Sequence, residues 1–143
     1  MRAEPWRLAC GAAVATSLLC SPLAASQTPA PNWRASSVTQ MGRTFIDTNS
    51  ISREGERVMF VREVRFTAPR PLTDTQQFNR IMERYEADCA ASTLRRLWVQ
   101  GFMDEAVVAP GRDRAEAPQP AGPGTAAAVD LRAVCLGQWP NRS

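Results

Sequence analysis

Phe78-Asn79-Arg80-Ile81-Met82-Glu83-Arg84-Tyr85-Glu86-Ala87-Asp88-Cys89 is the stretch on which the fold turns. At helical spacing, Phe78, Ile81, Met82, Tyr85 and Cys89 fall at i, i+3, i+4, i+7 and i+11 and make one apolar stripe. At period two, Ile81, Tyr85, Ala87 and Cys89 share a face, with Glu83 as the misfit. Periodicity alone favours the helix. The choice decides whether the middle of the chain is one continuous sheet or a sheet interrupted by a helix.

The residues before this stretch read as strands. Trp33 to Val38 is a first strand, and Arg43-Thr44-Phe45-Ile46-Asp47 a second that stops at Thr48-Asn49-Ser50. Ile51 points back inward, and Ser52-Arg53-Glu54-Gly55-Glu56 is a polar turn. Arg57 to Phe66 then alternates, with Val58, Phe60, Val64 and Phe66 on one face and Arg62 as the only break. The two segments form an antiparallel hairpin. Pro69 and Pro71 end it, and residues 67–77 are a polar crossing loop.

Beyond Cys89, Thr93 to Met103 is strand-like: Leu97, Val99 and Met103 alternate with Trp98, Gln100 and Phe102. Asp104-Glu105 makes a turn, and Ala106-Val107-Val108-Ala109 begins a short strand. The proline- and glycine-rich residues 110–124 read as an exposed loop. Thr125 caps a helix through Ala126, Val129, Leu131, Val134 and Cys135, and Gly137 stops it. Residues 138–143 are expected to fray. There is no internal repeat.

The front of the chain has the layout of a secretory signal. Arg2 and Arg7 precede an apolar run from Leu8 to Leu19, and small residues follow to Ala25. Cleavage after Ala25 removes residues 1–25 and leaves a flexible leader, residues 26–32, before one small domain, residues 33–137. The apolar run is shorter than the ~20 residues a membrane span needs. Cys20 follows the bulky pair Leu18-Leu19 and Cys10 comes too early, so neither suits lipid attachment. Export to the periplasm or the outer surface puts the remaining cysteines, Cys89 and Cys135, where thiols pair. A bond between them would pin the last helix to the preceding strands; a redox role would want a closer spacing or an activating neighbour.

The composition excludes more chemistry than it offers. The chain has a net charge of +3 and no basic run, which gives nucleic acid nothing to hold. All 17 basic residues are arginine, as expected from a GC-rich genome. There is no histidine, so a histidine-dependent triad is impossible and the commonest metal ligand is missing. The acidic groupings, Asp104-Glu105 and Glu83, Glu86 and Asp88, lack calcium-loop spacing. No catalytic residue, cofactor or metal is assigned, and the protein is read as not an enzyme; Asp104 and Glu105 are the best candidates if it were one. The aromatics remain. Trp98 and Phe102 share the face opposite Leu97 and Val99, and with Arg95 and Arg96 beside them they form a candidate protein-binding face or a homodimer contact. The other use of such a face is as a platform for haem or another flat ligand, with Met82, Met103, Tyr85 or a cysteine as the iron ligand.

Trp33, the segment Thr44-Phe45-Ile46-Asp47-Thr48-Asn49-Ser50-Ile51, Tyr85-Glu86-Ala87-Asp88-Cys89, Leu94-Arg95-Arg96-Leu97 and Val134-Cys135 occur in an order that resembles the surface-adhesin protein E family of Gram-negative bacteria, over about residues 33–135. The resemblance implies an α+β domain: an antiparallel sheet of about six strands, one C-terminal helix packed across it, and a helix–sheet disulfide between Cys89 and Cys135. It implies that Phe78–Cys89 is a strand, against the periodicity. It also implies a non-enzymatic envelope protein that binds an envelope or host extracellular protein and can dimerise. Asp47 and Ser50 are expected at a strand-end turn, their side chains satisfying loop amides.

Overall fold

The computed structural model describes residues 28–141. The expected signal segment, residues 1–25, the start of the leader and the last two residues lie outside them. Seven strands and one helix follow in chain order: β1 (Trp33–Thr39), β2 (Gly42–Glu54), β3 (Arg57–Pro71), β4 (Gln77–Asp88), β5 (Thr93–Met103), β6 (Ala106–Asp113), β7 (Gln119–Pro120) and α1 (Ala126–Leu136). The first six form an antiparallel meander in sequence order, and β7 pairs with the start of β5, at Thr93 and Leu94.

The deciding stretch is a strand from Gln77 to Asp88, as the resemblance implied and the periodicity did not. The helical stripe is split: in register with its neighbours, Tyr85 faces Phe60 while Met82 faces Glu63 on the opposite side of the sheet. Pairing on both edges with β3 and β5 outweighs the local pattern.

Three boundaries differ from the expectation, each for a backbone reason. β2 does not stop at Thr48-Asn49-Ser50. It bulges between Asp47 and Ser52 and continues. Within the bulge, Asp47 Oδ1 accepts from the amides of Asn32 (2.8 Å) and Asn49 (3.0 Å), and Ser50 Oγ accepts from the Val61 amide at 2.8 Å. Asp47 and Ser50 thus satisfy amides inside a strand and not at its end. β3 runs through Pro69 to Pro71, because beyond Phe66 it has no β2 partner and that edge needs no donors. The crossing loop therefore shrinks to residues 72–76. Residues 110–124 are not one loop: Pro110–Asp113 completes β6 and Gln119–Pro120 forms β7, both at an edge where proline costs little.

The helix has the expected ends. Thr125 Oγ1 accepts from the Ala128 amide at 3.2 Å, and Gly137 takes the left-handed conformation, φ 65°, that terminates it. At its C-terminus Arg53 Nη2 donates to the carbonyls of Val134 (3.3 Å) and Cys135 (2.9 Å), a cation at the negative pole of the helix dipole. α1 covers one face of the sheet, where Ile46, Val58, Phe60, Ala87 and Leu94 pack against Ala133 and Val134. The Cys89–Cys135 disulfide ties that helix to the end of β4. Trp139, in the segment expected to fray, packs on this core with the Arg34 guanidinium 4.6 Å over its ring.

Candidate functional site

The two faces of the sheet do different work. The face under α1 holds the core and, at its middle, a buried ionic cluster. Arg62 in β3 stands opposite Glu83 in β4, so the one break in the alternation of each strand is the other's partner. Arg62 Nε and Nη2 donate to Glu83 Oε2 at 3.0 and 2.7 Å, Nη1 to Asp130 Oδ2 of α1 at 2.8 Å, and Nη2 to the Tyr85 hydroxyl at 2.8 Å. Arg96 Nη1 donates to Glu83 Oε1 at 2.8 Å, and its Nη2 to Glu116 Oε1 at 2.5 Å. Glu83 is 1 % exposed and Asp130 0 %. Burial works against the charge of Arg62, but Glu83, the Tyr85 phenol and Asp130 more than offset it and hold its pKa above the ordinary guanidinium value. Arg96 is raised in the same way: burial opposes its charge, and the bonds to Glu116 and Glu83 outweigh it. Burial pushes the Tyr85 phenol up, against the pull of Arg62. Each carboxylate here is held by at least one arginine, and of their oxygens Asp130 Oδ1 alone is left buried without a partner. The cluster fastens helix to sheet.

The other face carries no helix. In register across the strands it presents Phe45, Met59, Val61, Met82 and Trp98, all partly exposed, among Arg43, Arg65, Arg80, Arg84 and Arg95. The arginines lie over the aromatics: Arg65 is 4.7 Å from the Phe45 ring centroid and Arg80 4.2 Å from that of Phe102. Beneath them Glu63, 1 % exposed, pairs with both Arg65 and Arg80, the latter at 3.0 Å. Trp98 lies flat on Gly111 of β6: a Cβ at Gly111 would stand 2.7 Å from its Cε2. Only glycine allows that approach.

The four residues of the expected binding face are divided. Arg95, bonded to Glu86 at 2.8 Å, and Trp98 stand on the open face. Phe102 shares it but is 9 % exposed beneath Arg80. Arg96 is on the other side, opposite Tyr85 and inside the ionic cluster, because β5 bulges between it and Trp98. That bulge shifts the parity by one and is invisible in the sequence. Met59, Val61, Met82 and Phe45 were missed as members of the face. The signal that finds them is the set of positions alternating with the core residues Val58, Phe60 and Ile46 on the same strands.

The remaining candidates are not brought together. Met82 is on the open face and Tyr85 under the helix, stacked on Phe60 at 5.8 Å with its hydroxyl bonded, so the two cannot serve one haem iron. Met103 closes β5 far along the strand, and both cysteines are in the disulfide. Asp104 is at the β5–β6 turn, accepting from Asn79 Nδ2 at 2.8 Å, and Glu105 is 98 % exposed. Among the described residues no three histidine, cysteine, aspartate or glutamate side chains are grouped for a metal.

The family model described as surface-adhesin protein E matches residues 33–136. Crystal form II of Haemophilus influenzae protein E shares the fold at a TM-score of 0.55 and 15% identity, over 78% of this chain and 98% of that one. A second structure of Haemophilus influenzae protein E gives 0.53 and 15%, over 77% and 92%. Protein E from non-typeable Haemophilus influenzae gives 0.53 and 15%, over 77% and 83%. No curated protein sequence matches the chain.

Proposed function

Because the chain belongs to the surface-adhesin protein E family, we propose that it is an exported, non-enzymatic domain of the cell envelope that binds a protein through the open face of its sheet. The observation that carries this reading is the make-up of that face. Methionine, aromatic residues and arginine are the types enriched at the centres of protein interfaces, and Phe45, Met59, Val61, Met82, Trp98 and the arginines above them supply all three. Their apolar side chains are half-buried by their neighbours, and Glu63 and Glu86 among them are each paired with two arginines, so a partner would meet little unpaired negative charge to desolvate. All the rigid attachments of α1 are on the opposite side. The face is free without weakening the fold.

The arrangement supports binding over catalysis. Each ionisable group in the buried cluster is held by another. The expected location, periplasm or outer surface, rests on the N-terminal segment and on the family.

The test is a binding panel of immobilised matrix, serum and envelope proteins against the protein purified from the envelope of a Gram-negative host. Val61→Asp and Met82→Asp place charges at the centre of the face, and the melting transition controls for folding. At least one panel member should bind, and the double substitution should weaken it tenfold or more. Unchanged binding by a folded variant would remove the face from the reading. A panel with no binder would remove the reading itself.

A further inference from the structure

The edge strand β1 lies between two clefts. One, about 730 Å3, is on the open-face side and is bordered by Trp33, Arg34, Arg43 and Phe45. The other, about 440 Å3, separates β1 from α1 and is bordered by Val129, Arg132 and Trp139. Ser36, Ser37 and Val38 of β1 line both, so the clefts meet at the strand's outer edge. Among the described residues no further strand pairs with that edge: β1 pairs only with β2, Val38 is 70 % exposed, and Pro140 of the C-terminal segment borders both clefts. The opposite edge is unlike it, since β6 holds Pro110 and slips register twice against β5.

Two observations say what the edge would accept. The two linings contain Arg34, Arg43 and Arg132 and no carboxylate, and none of the three has an acidic partner among the described residues. Ser37 Oγ, on the strand itself, is buried and has no hydrogen-bond partner. A buried hydroxyl without a partner costs free energy that a ligand group could recover. We infer that β1 takes up an extended, acidic segment of a partner protein by strand addition. The segment's backbone pairs with the free edge of β1, while its alternate side chains enter the two clefts. Carboxylates on either face of the added strand then meet an arginine, Arg34 or Arg43 in one cleft and Arg132 in the other. The guanidinium fork suits that contact. The inference rests on the domain being a protein-binding one, not on its open face.

The probe is a capped synthetic peptide of about eight residues, a common strand length, alternating glutamate and valine. Its controls are the lysine–valine counterpart and a glutamate–valine version N-methylated along both edges. Anisotropy of the labelled peptides reads affinity. The acidic peptide should bind at least tenfold more tightly than the lysine one, N-methylation should cost at least tenfold, and Arg34→Gln with Arg43→Gln should cost at least tenfold and flatten the salt dependence. Equal affinity for the acidic and basic peptides, or indifference to N-methylation, would overturn strand addition. So would a dimer in sedimentation that forms through β1 and excludes the peptide, because the edge would then belong to a second copy. Loss of a panel protein on Val61→Asp and Met82→Asp, with no peptide binding at β1, would leave the proposed function standing and remove this inference alone.

Discussion

Replacing Arg62 by leucine should be among the most damaging single changes available to this fold. The side chain is 15 % exposed and supplies four hydrogen bonds to three partners, two of them carboxylates at 1 % and 0 % exposure. Asp130 has no other partner: its Oδ1 is buried with none, and Oδ2 bonds only to Arg62. Glu83 keeps Arg96. The substitution therefore strands one buried carboxylate completely and one by half. Removing one partner of a buried ion pair costs about 3–5 kcal/mol, a large part of the 5–15 kcal/mol that holds a typical domain together. With a urea m-value of about 1.5 kcal/mol/M, the unfolding midpoint should fall by roughly 2–3 M at unchanged m. Arg62→Lys should lie between wild type and Arg62→Leu, since an ammonium keeps the charge but cannot span Glu83 and Asp130 with one planar fork. Adding Asp130→Leu to Arg62→Leu should recover part of the loss, because the stranded charge is then gone. A loss below about 1 kcal/mol for Arg62→Leu, the size of a solvated pair, would refute the reasoning. So would a double variant no better than the single one.

Tyr85 is the only tyrosine in the chain, so tyrosinate absorbance reports it alone. Burial raises its pKa in the folded state above the ordinary value of 10.0. The unfolded chain therefore loses this proton first as pH rises, and the contribution of Tyr85 to stability should be constant below pH 10 and decline above it. Tyr85→Phe should soften that decline, and a native titration at the ordinary phenol value would contradict it. Replacing Cys89 and Cys135 by serine opens a crosslink spanning 46 residues and should cost about 4 kcal/mol by chain entropy, read as a lowered denaturation midpoint. Gly111→Ala drives a methyl into Trp98 and should destabilise by about 1–3 kcal/mol, with a shift in tryptophan emission. Trp98→Ala in the same chain should remove most of that cost; independent, additive losses would deny the contact.

The strands beside the deciding stretch, and the helix with its caps, were legible because alternation, Thr125 and Gly137 are local signals. β4 was not legible from its own residues. Its stripe satisfies a helix, and only neighbours on both edges make it a strand. Register was the other hidden quantity. The bulge after Asp47 shifts the register by three residues and the one in β5 opposite Arg84–Tyr85 by one; both reverse the parity, and the second moves Arg96 from the open face to the ionic cluster. The most useful signal lay in the failures of the pattern. Arg62 and Glu83 were the lone breaks in two alternating strands, and Asp130 is the acid in an otherwise apolar helix but for Arg132. Opposite charges that each spoil an apolar face can be read as a mutual pair from the amino-acid order alone.

That pairing also accounts for the exposed side of the sheet. An isolated helix of 11 residues is too short to persist in water, so α1 exists only as far as the sheet holds it. It is held along its whole length: by the Thr125 cap at the start, Asp130 on Arg62 near the middle, and the disulfide and Arg53 at the end. Beyond the cap, each attachment comes from β2, β3 or the end of β4. An antiparallel sheet packed on one face can leave the other to solvent, and this sheet is packed under α1. Its far face can then keep Met59, Val61, Met82 and Trp98 within reach of solvent under a cover of arginine. Loosening the helix should therefore weaken binding only in proportion to the fraction unfolded, while charge placed at Val61 and Met82 together should weaken binding tenfold or more in a chain that melts normally. The opposite pattern, with binding that tracks helix attachment and ignores Val61 and Met82, would move the site to the helix side.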